Sequence, residues 1–199
     1  MKCDIIAAGV GGQGVLSVSA IIAASALRAG LFAVQSEVHG MSQRGGAVVA
    51  HLRISDQPIH SATIGLGKAD LVISMEPLES LRYLEYLAPA GTIISSIEPV
   101  KNFDGYPDLE TLLAEVKRIP RAILIDATKL AREAGNAKAA NIIMVGAAAH
   151  LLPIAQEHIL AFIEEMFRAK SEKLVEVNLE AFESGRRQVA AAEPAGVGA

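Results

Sequence analysis

Apolar residues along the chain come in two rhythms. Short continuous runs, CDIIAA at Cys3–Ala8, DLVISM at Asp70–Met75, TIISSI at Thr92–Ile97 and AILI at Ala122–Ile125, are four to six residues long, and each is followed by glycine or an acid. Such runs lack a polar side, so they predict strands covered on both faces. Phe32–Val38 and Ala47–Ile54 also read as strands, the second ending at the turn-forming Ser55-Asp56-Gln57-Pro58. Longer stretches of helical composition lie between the runs. One spans Gly14–Arg28, with Gly30 suited to its C-terminal cap. Another opens at Glu76-Pro77, with proline at its first position. It repeats Leu78, Leu81 and Tyr86 on one face up to Leu87, and Pro89 and Gly91 stop it. Leu109–Lys117 follows, then a helix capped by Asp126 and closed at Gly135. Asn141–Leu152, with Asn141 as candidate cap, and Ile154–Arg168 are separated by Pro153, and a last helix covers Leu174–Val189.

Strands alternating with helices predict an α/β fold: a single layered domain, residues 1–189, with a mainly parallel sheet flanked by helices and a Rossmann-like start. No internal repeat or linker interrupts it. The Ala/Gly/Pro-rich tail, Ala190–Ala199, is expected to be disordered.

Composition narrows the function classes. The 199 residues suit one domain with a real core, and with aromatics at 4% that core is built from Ala, Val, Ile and Leu. A net charge of −4 and the lack of a Lys/Arg cluster argue against nucleic acid. The single cysteine, Cys3, cannot form an internal disulfide or by itself ligate an iron–sulfur cluster or zinc, so no metal ligands are assigned. Asp4 stands where the apolar core of a signal peptide would begin, and uncharged Gly14–Leu27 stops at Arg28, too short to span a bilayer. A cytoplasmic location without membrane contact is expected.

Two loops carry the chemistry. GVGGQG, Gly9–Gly14, fits G-x-G-x-x-G between a strand and a helix, with Gly11, Gly12 and Gln13 inside it. Glycines let backbone approach a ligand, and a helix N-terminus offers unpaired N–H groups to an anion. The dinucleotide fingerprint also wants an acid at the end of the second strand, for which Glu37 is loosely placed. The pattern alone also fits a turn that simply seats the first helix near the sheet. The second loop, in SEVHGMSQRGG, follows Glu37 with His39, Ser42, Gln43, Arg44, Gly45 and Gly46. Arg44 offers a planar fork of donors for a carboxylate or phosphate, beside glycines that leave room for it. An exposed turn with an arginine is the plain alternative.

Together the loops resemble those of the gamma-type subunit or domain of 2-oxoacid:ferredoxin oxidoreductases. The likeness continues in ADLVISMEPLESLRYLEYL, Ala69–Leu87, and NIIMVGAAAHL, Asn141–Leu151, and covers about residues 3–185. Relatives acting on pyruvate carry acidic and arginine residues before the second glycines. The His39-Gly40-Met41-Ser42-Gln43 version therefore points to the branch acting on aryl pyruvates such as indolepyruvate. The resemblance implies oxidative decarboxylation of a 2-oxoacid with coenzyme A as co-substrate, giving an acyl-CoA and reduced ferredoxin. It also implies that thiamine diphosphate, magnesium and the iron–sulfur clusters sit in an alpha-type catalytic partner subunit, and that ferredoxin is met through the complex. This chain alone would hold no cofactor and would self-associate when isolated. First and second strands are expected as neighbours, so that Gly9–Gly14 and Ser42–Gly46 form one anion-friendly lip at the carboxyl ends of the strands. The anion is a coenzyme A phosphate, a substrate carboxylate or a partner's acid.

No Ser–His–Asp order or nucleophile elbow supports a hydrolase. His51 and His150 read as core or interface residues, Cys3 as buried and inert, and Glu76 and Asp126 as strand-end caps. No catalytic residue is assigned. The other readings are a stand-alone nucleotide-binding protein or NAD(P)-dependent enzyme using Gly9–Gly14, and a scaffold whose loops only fit a partner.

Overall fold

The computed structural model describes residues 1–39 and 45–192. Its strands are β1 (Lys2–Val10), β2 (Phe32–His39), β3 (Ala47–Ser55), β4 (Ala69–Ser74), β5 (Leu87–Ser96) and β6 (Ala122–Ile125). Its helices are α1 (Val15–Arg28), α2 (Pro77–Arg82), α3 (Leu109–Lys117), α4 (Ala127–Glu133), α5 (Ala140–Ala148), α6 (Gln156–Arg168) and α7 (Glu172–Ala192). The strands form one sheet in the order β2-β3-β1-β4-β5-β6. The β1–β4, β4–β5 and β5–β6 pairs are parallel, while β3 runs antiparallel to both β1 and β2.

This layout explains the continuous apolar runs. Successive residues of a strand face opposite ways. Ile5 and Ala7 of β1 point into a core shared with α1, α4, α5, α6 and α7. Ile6 and Ala8 point the other way, into a smaller core closed by Ile64, Tyr83, Tyr86 and Ile119. On the larger side, α5 is buried over Ile142–Ala148.

Three expectations need correction. First, β1 and β2 are not neighbours, because β3 lies between them. The physical reason is the short link between β2 and β3. A parallel return needs a crossover of a dozen residues or more, whereas antiparallel strands can be joined by a brief turn. Second, the helix expected to run to Leu87 stops at Arg82, and a 3₁₀ turn at Leu84–Tyr86 leads straight into β5. Leu87 already pairs with Ala69, and a register shift between Ala69 and Leu71 absorbs the extra residues that carry Pro89 and Gly91. The buried face of α2 is Pro77, Glu79 and Ser80, not Leu78 and Leu81. Third, α7 continues through the first residues of the expected tail to Ala192, while residues 193–199 lie outside the described residues. His150, expected in the core or at an interface, is exposed in a 3₁₀ turn after α5. Glu76 and Asp126 cap α2 and α4 as expected, accepting from the N–H of Glu79 and of Lys129.

Candidate functional site

The carboxyl ends of β1, β4 and β5 meet the N-termini of α1 and α5 at one edge of the sheet. The first glycine loop crosses this edge. Gly9, the last of its residues still packed in β1, lies so close to the next helix that an added Cβ would be 2.7 Å from Val15 Cγ2 and 3.0 Å from Met75 Cβ. The chain then turns. Gln13 Oε1 accepts from the Val10 N–H at 2.8 Å, and Gln13 Nε2 donates to the Met75 carbonyl at 2.9 Å. The Gln13 amide thus staples the loop to the end of β4. Gly14 is the N-cap of α1 in left-handed geometry, φ 83°, which a residue with a side chain adopts only at a cost. It supplies no capping side chain, and the first turn of α1 holds no acid, so no cap side chain covers the helix's leading N–H groups.

The second glycine loop joins the first through backbone. Gly11 N–H donates to the Gly46 carbonyl at 2.8 Å, and Gly45 N–H donates to the Gly11 carbonyl at 3.3 Å. The two loops therefore meet at one edge as expected, but through β3, whose first residue, Ala47, pairs with Val10. Asn102, from the segment after β5, donates its side-chain amide to the Gly45 carbonyl. His39 ends β2 opposite Val48. Its side chain, with Ser42, Gln43 and Arg44, lies outside the described residues.

A cleft of about 510 Å³ opens beside the first loop, bounded by Gly12–Gly14, Met75, Ser96, Glu98–Val100, Thr128, Lys138 and Asn141. Like α1, α5 starts without a capping side chain, at Ala139. Asn141 instead accepts from the Ile142 N–H, at 3.0 Å, while its amide lies beside Gly14. The cleft is thus bordered by two helix N-termini, Lys138, Thr128 and Asn141, with the exposed Glu98 on its opposite wall as the one carboxylate of the lining. That donor set suits an anion with further hydrogen-bonding groups. On the other side of the glycine loop, Val10, Val15, Leu16 and Val48 line a shallower hollow of about 320 Å³. Its apolar lining suits a protein side chain better than a phosphate.

Asn141 and Lys138 complete the cleft, and sequence reasoning missed their place. Asn141 gave a signal, a polar residue opening a wholly apolar helix, but it pointed only to a cap. Lys138 gave none, because its position depends on how the 3₁₀ turn at Ala137–Ala139 packs.

Glu37 does not stand where a ribose-binding acid would. It pairs with Ala50, which in turn pairs with Ala7, so it is two strand spacings, about 10 Å, from the body of β1 rather than at the loop. It is exposed and accepts from Gln35 Nε2 at 3.1 Å. The antiparallel β3 thus breaks the strand order on which the dinucleotide reading depends. Cys3 is buried in β1, and burial with the nearby Asp70 and Asp4 pushes its thiol up to about 12, far from the thiolate needed of a ligand or nucleophile. Among the described residues, no group of three His, Cys, Asp or Glu side chains lies together to hold a metal, and no helix is long and apolar enough to cross a membrane.

A family model described as pyruvate ferredoxin/flavodoxin oxidoreductase matches residues 4–188. The chain is 37% identical to indolepyruvate oxidoreductase subunit IorB of Archaeoglobus fulgidus, over 99% of this chain and 100% of that protein. It is also 37% identical to the subunit of the same name from Pyrococcus horikoshii, covering 92% of this chain and 93% of that one. Its fold matches that of 2-oxoglutarate:ferredoxin oxidoreductase from Magnetococcus marinus, solved with 2-oxoglutarate, coenzyme A and succinyl-CoA bound. There the TM-score is 0.74 at 22% identity, covering 96% of this chain and 31% of that longer one.

Proposed function

The chain belongs to the pyruvate ferredoxin/flavodoxin oxidoreductase family, and from that premise we propose that it is the non-catalytic subunit of an indolepyruvate, or aryl 2-oxoacid, ferredoxin oxidoreductase. Its partner is an alpha-type catalytic subunit, and the complex works in the cytoplasm. Thiamine diphosphate with magnesium and the iron–sulfur clusters, held by that partner, supply the decarboxylation and the two one-electron transfers to ferredoxin. The net change is a 2-oxoacid and coenzyme A to an acyl-CoA and carbon dioxide, with two ferredoxins reduced and one proton released.

The role of this chain is to bind and orient. The observation that carries the reading is the paired backbone contact of Gly11 with Gly45 and Gly46, which welds the two glycine loops into one lip beside the cleft. The N–H groups at the start of α1 and α5, with Lys138, receive an anionic part of coenzyme A or of the 2-oxoacid, and Arg44 adds its fork from the second loop. The hollow at Val10, Val15, Leu16 and Val48 seats the catalytic partner. Phe32 and Val38 on edge strand β2, with Leu66 and Leu84, are exposed apolar side chains that favour association when the partner is absent.

Co-expression with the alpha-type subunit and anaerobic assay against several 2-oxoacids tests the proposal. Ferredoxin reduction dependent on coenzyme A, requiring both chains and faster with indolepyruvate than with pyruvate, is the expected result. Full activity of the partner without this chain would overturn it.

A further inference from the structure

Between the cleft and α2 lies a carboxyl group whose hydrogen bonds exceed what its capping role needs. Glu76 is 1% exposed, at the junction of β4 and α2. One oxygen, Oε2, caps α2 by accepting from the Glu79 N–H at 2.9 Å. A shorter Ser, Thr or Asp does that job in most helices. The other oxygen reaches out of the helix to a different part of the chain. It accepts from the Val100 N–H at 3.3 Å and from the Tyr106 hydroxyl. Both donors belong to the segment between β5 and α3, which has no regular secondary structure over residues 97–107 apart from turns. Lys101, Asn102, Phe103 and Asp104 in its middle are exposed, while Ile97, Pro99, Val100 and Tyr106 are half-buried, so core packing holds little more than its ends.

We infer that Glu76 is a positioning residue for the cleft: its inner oxygen latches the 97–107 segment, so that Glu98–Val100 stand as the cleft's wall and Asn102 reaches the Gly45 carbonyl of the second glycine loop. The latch links three features that the sequence separates. Its near end lies at the carboxyl end of β4, its middle borders the cleft and its far end touches the joined loops. Neither Glu76 nor Tyr106 lines the cleft. Both nevertheless set its shape, because the bonds of the Ile97 N–H to the Ile125 carbonyl at 3.0 Å and of the Glu98 N–H to Ser96 Oγ at 3.2 Å hold only the start of the wall. Within the segment the Phe103 and Tyr106 rings meet at a 50° tilt with centroids 5.6 Å apart, which lets one hydroxyl contact steady several residues. Burial, and the hydrogen bond to Glu76, push the Tyr106 phenol well above its ordinary range, so the hydroxyl stays a donor at any working pH.

The inference rests on the reading of the cleft given above, and its test separates the two. Glu76→Gln is nearly isosteric and keeps one carbonyl oxygen to cap α2. Its amide then faces the Val100 N–H, donor against donor, and the Tyr106 hydroxyl loses its charged acceptor. Tyr106→Phe removes one contact and keeps the ring, and it serves if Glu76→Gln does not fold. Hydrogen exchange on the isolated full-length chain should show amides of residues 97–107 losing protection about tenfold, as expected for one lost hydrogen bond to a charged group, with α1 and α5 unchanged. In the complex with the catalytic subunit, KM for coenzyme A or the 2-oxoacid should rise by a similar factor with kcat nearly constant. Unchanged exchange in the segment overturns the latch whatever the cleft binds. A released segment with unaltered kinetics and subunit affinity also overturns it. In that case Gly12→Ala, which alters the cleft directly, decides the rest. If it disturbs the kinetics, only the latch falls, and if it does not, the reading of the cleft falls too.

Discussion

Glycine serves opposite purposes in two regions of this molecule. Where α5 crosses α7, it is chosen for its lack of volume. A Cβ on Gly146 would lie 2.0 Å from the Phe182 carbonyl oxygen, and one on Gly185 would lie 2.0 Å from that of Ile143. The two helices touch backbone to backbone at ordinary helical dihedrals. At the cleft, glycine is chosen for the sign of φ. Gly12 has φ 104° and Gly45 has φ 73°, and a Cβ at either would meet nothing within 4 Å. The first pair serves stability and faces no solvent. The second serves access and leaves backbone bare. Glycine content alone therefore says nothing about where ligands go. The space around each glycine does.

That contrast can be broken most forcefully at the crossing. Gly146→Ala should cost about 3 kcal/mol, because the added methyl strikes backbone that cannot swing aside. The melting temperature should fall by roughly 10 °C for a chain of this size. A variant that melts like the parent would mean that the helices can part freely. Next in size is an effect on binding without one on folding. Arg44 stands among polar and glycine residues, and Arg44→Ala should lower affinity or turnover in the assembled complex by on the order of 2 kcal/mol, the loss of a charge-assisted fork. Stability should change by no more than about 0.5 kcal/mol. Lysine should rescue partly, since it keeps the charge and loses the fork. Thermal melts of the chain beside kinetics of the complex make the comparison, and a large melt shift with normal kinetics would make the arginine structural.

Gly12→Ala sharpens the contrast from the other side. It puts a side chain into open space at an unfavourable φ, so strain of about 1 kcal/mol is expected, well below the cost at Gly146. Urea midpoints of the two variants measured together test that order. The smallest effect concerns pH. His51 is buried in β3, accepts from the Ile64 N–H through Nδ1 at 3.2 Å, and stands edge-on to Tyr86. Burial holds its pKa below the ordinary 6.5. The unfolded chain thus takes up a proton before the folded one does. Its contribution to stability is complete above pH 6.5 and falls as pH drops through the window between 6.5 and the lowered value. His51→Gln, which keeps an acceptor for Ile64, should flatten the melting temperature across that window, as scanning calorimetry at a series of pH values would show.

The elements were largely legible. Short apolar runs followed by glycine or acid marked β1, β4, β5 and β6, because burial on both faces leaves no polar alternation to confuse with a helix. The exception was Leu78–Leu87, where apolar spacing imitated a helical face while the buried positions of α2 were Pro77, Glu79 and Ser80. Strand order was not read, although its cue was present: the link from β2 to β3 is too short for a parallel return. Of the site, both glycine loops were found by composition and spacing. Lys138, Asn141 and the inner oxygen of Glu76 were not, since each depends on which distant segments come together, and local pattern is silent on that.

The placement of β1 also matters for how the chain is made. β1 is an interior strand, and its partners on either side, β3 and β4, are synthesised after it. Until residues 47–74 have emerged, an apolar strand with two unpaired edges waits in solution. Covering of the larger core waits longer still, because α7, which closes over α5, is made after all the other described elements. A nascent chain of this design holds its most adhesive surfaces open until β3, β4 and α7 have been made, so translation speed and chaperone supply should govern its soluble yield more than the stability of the finished fold.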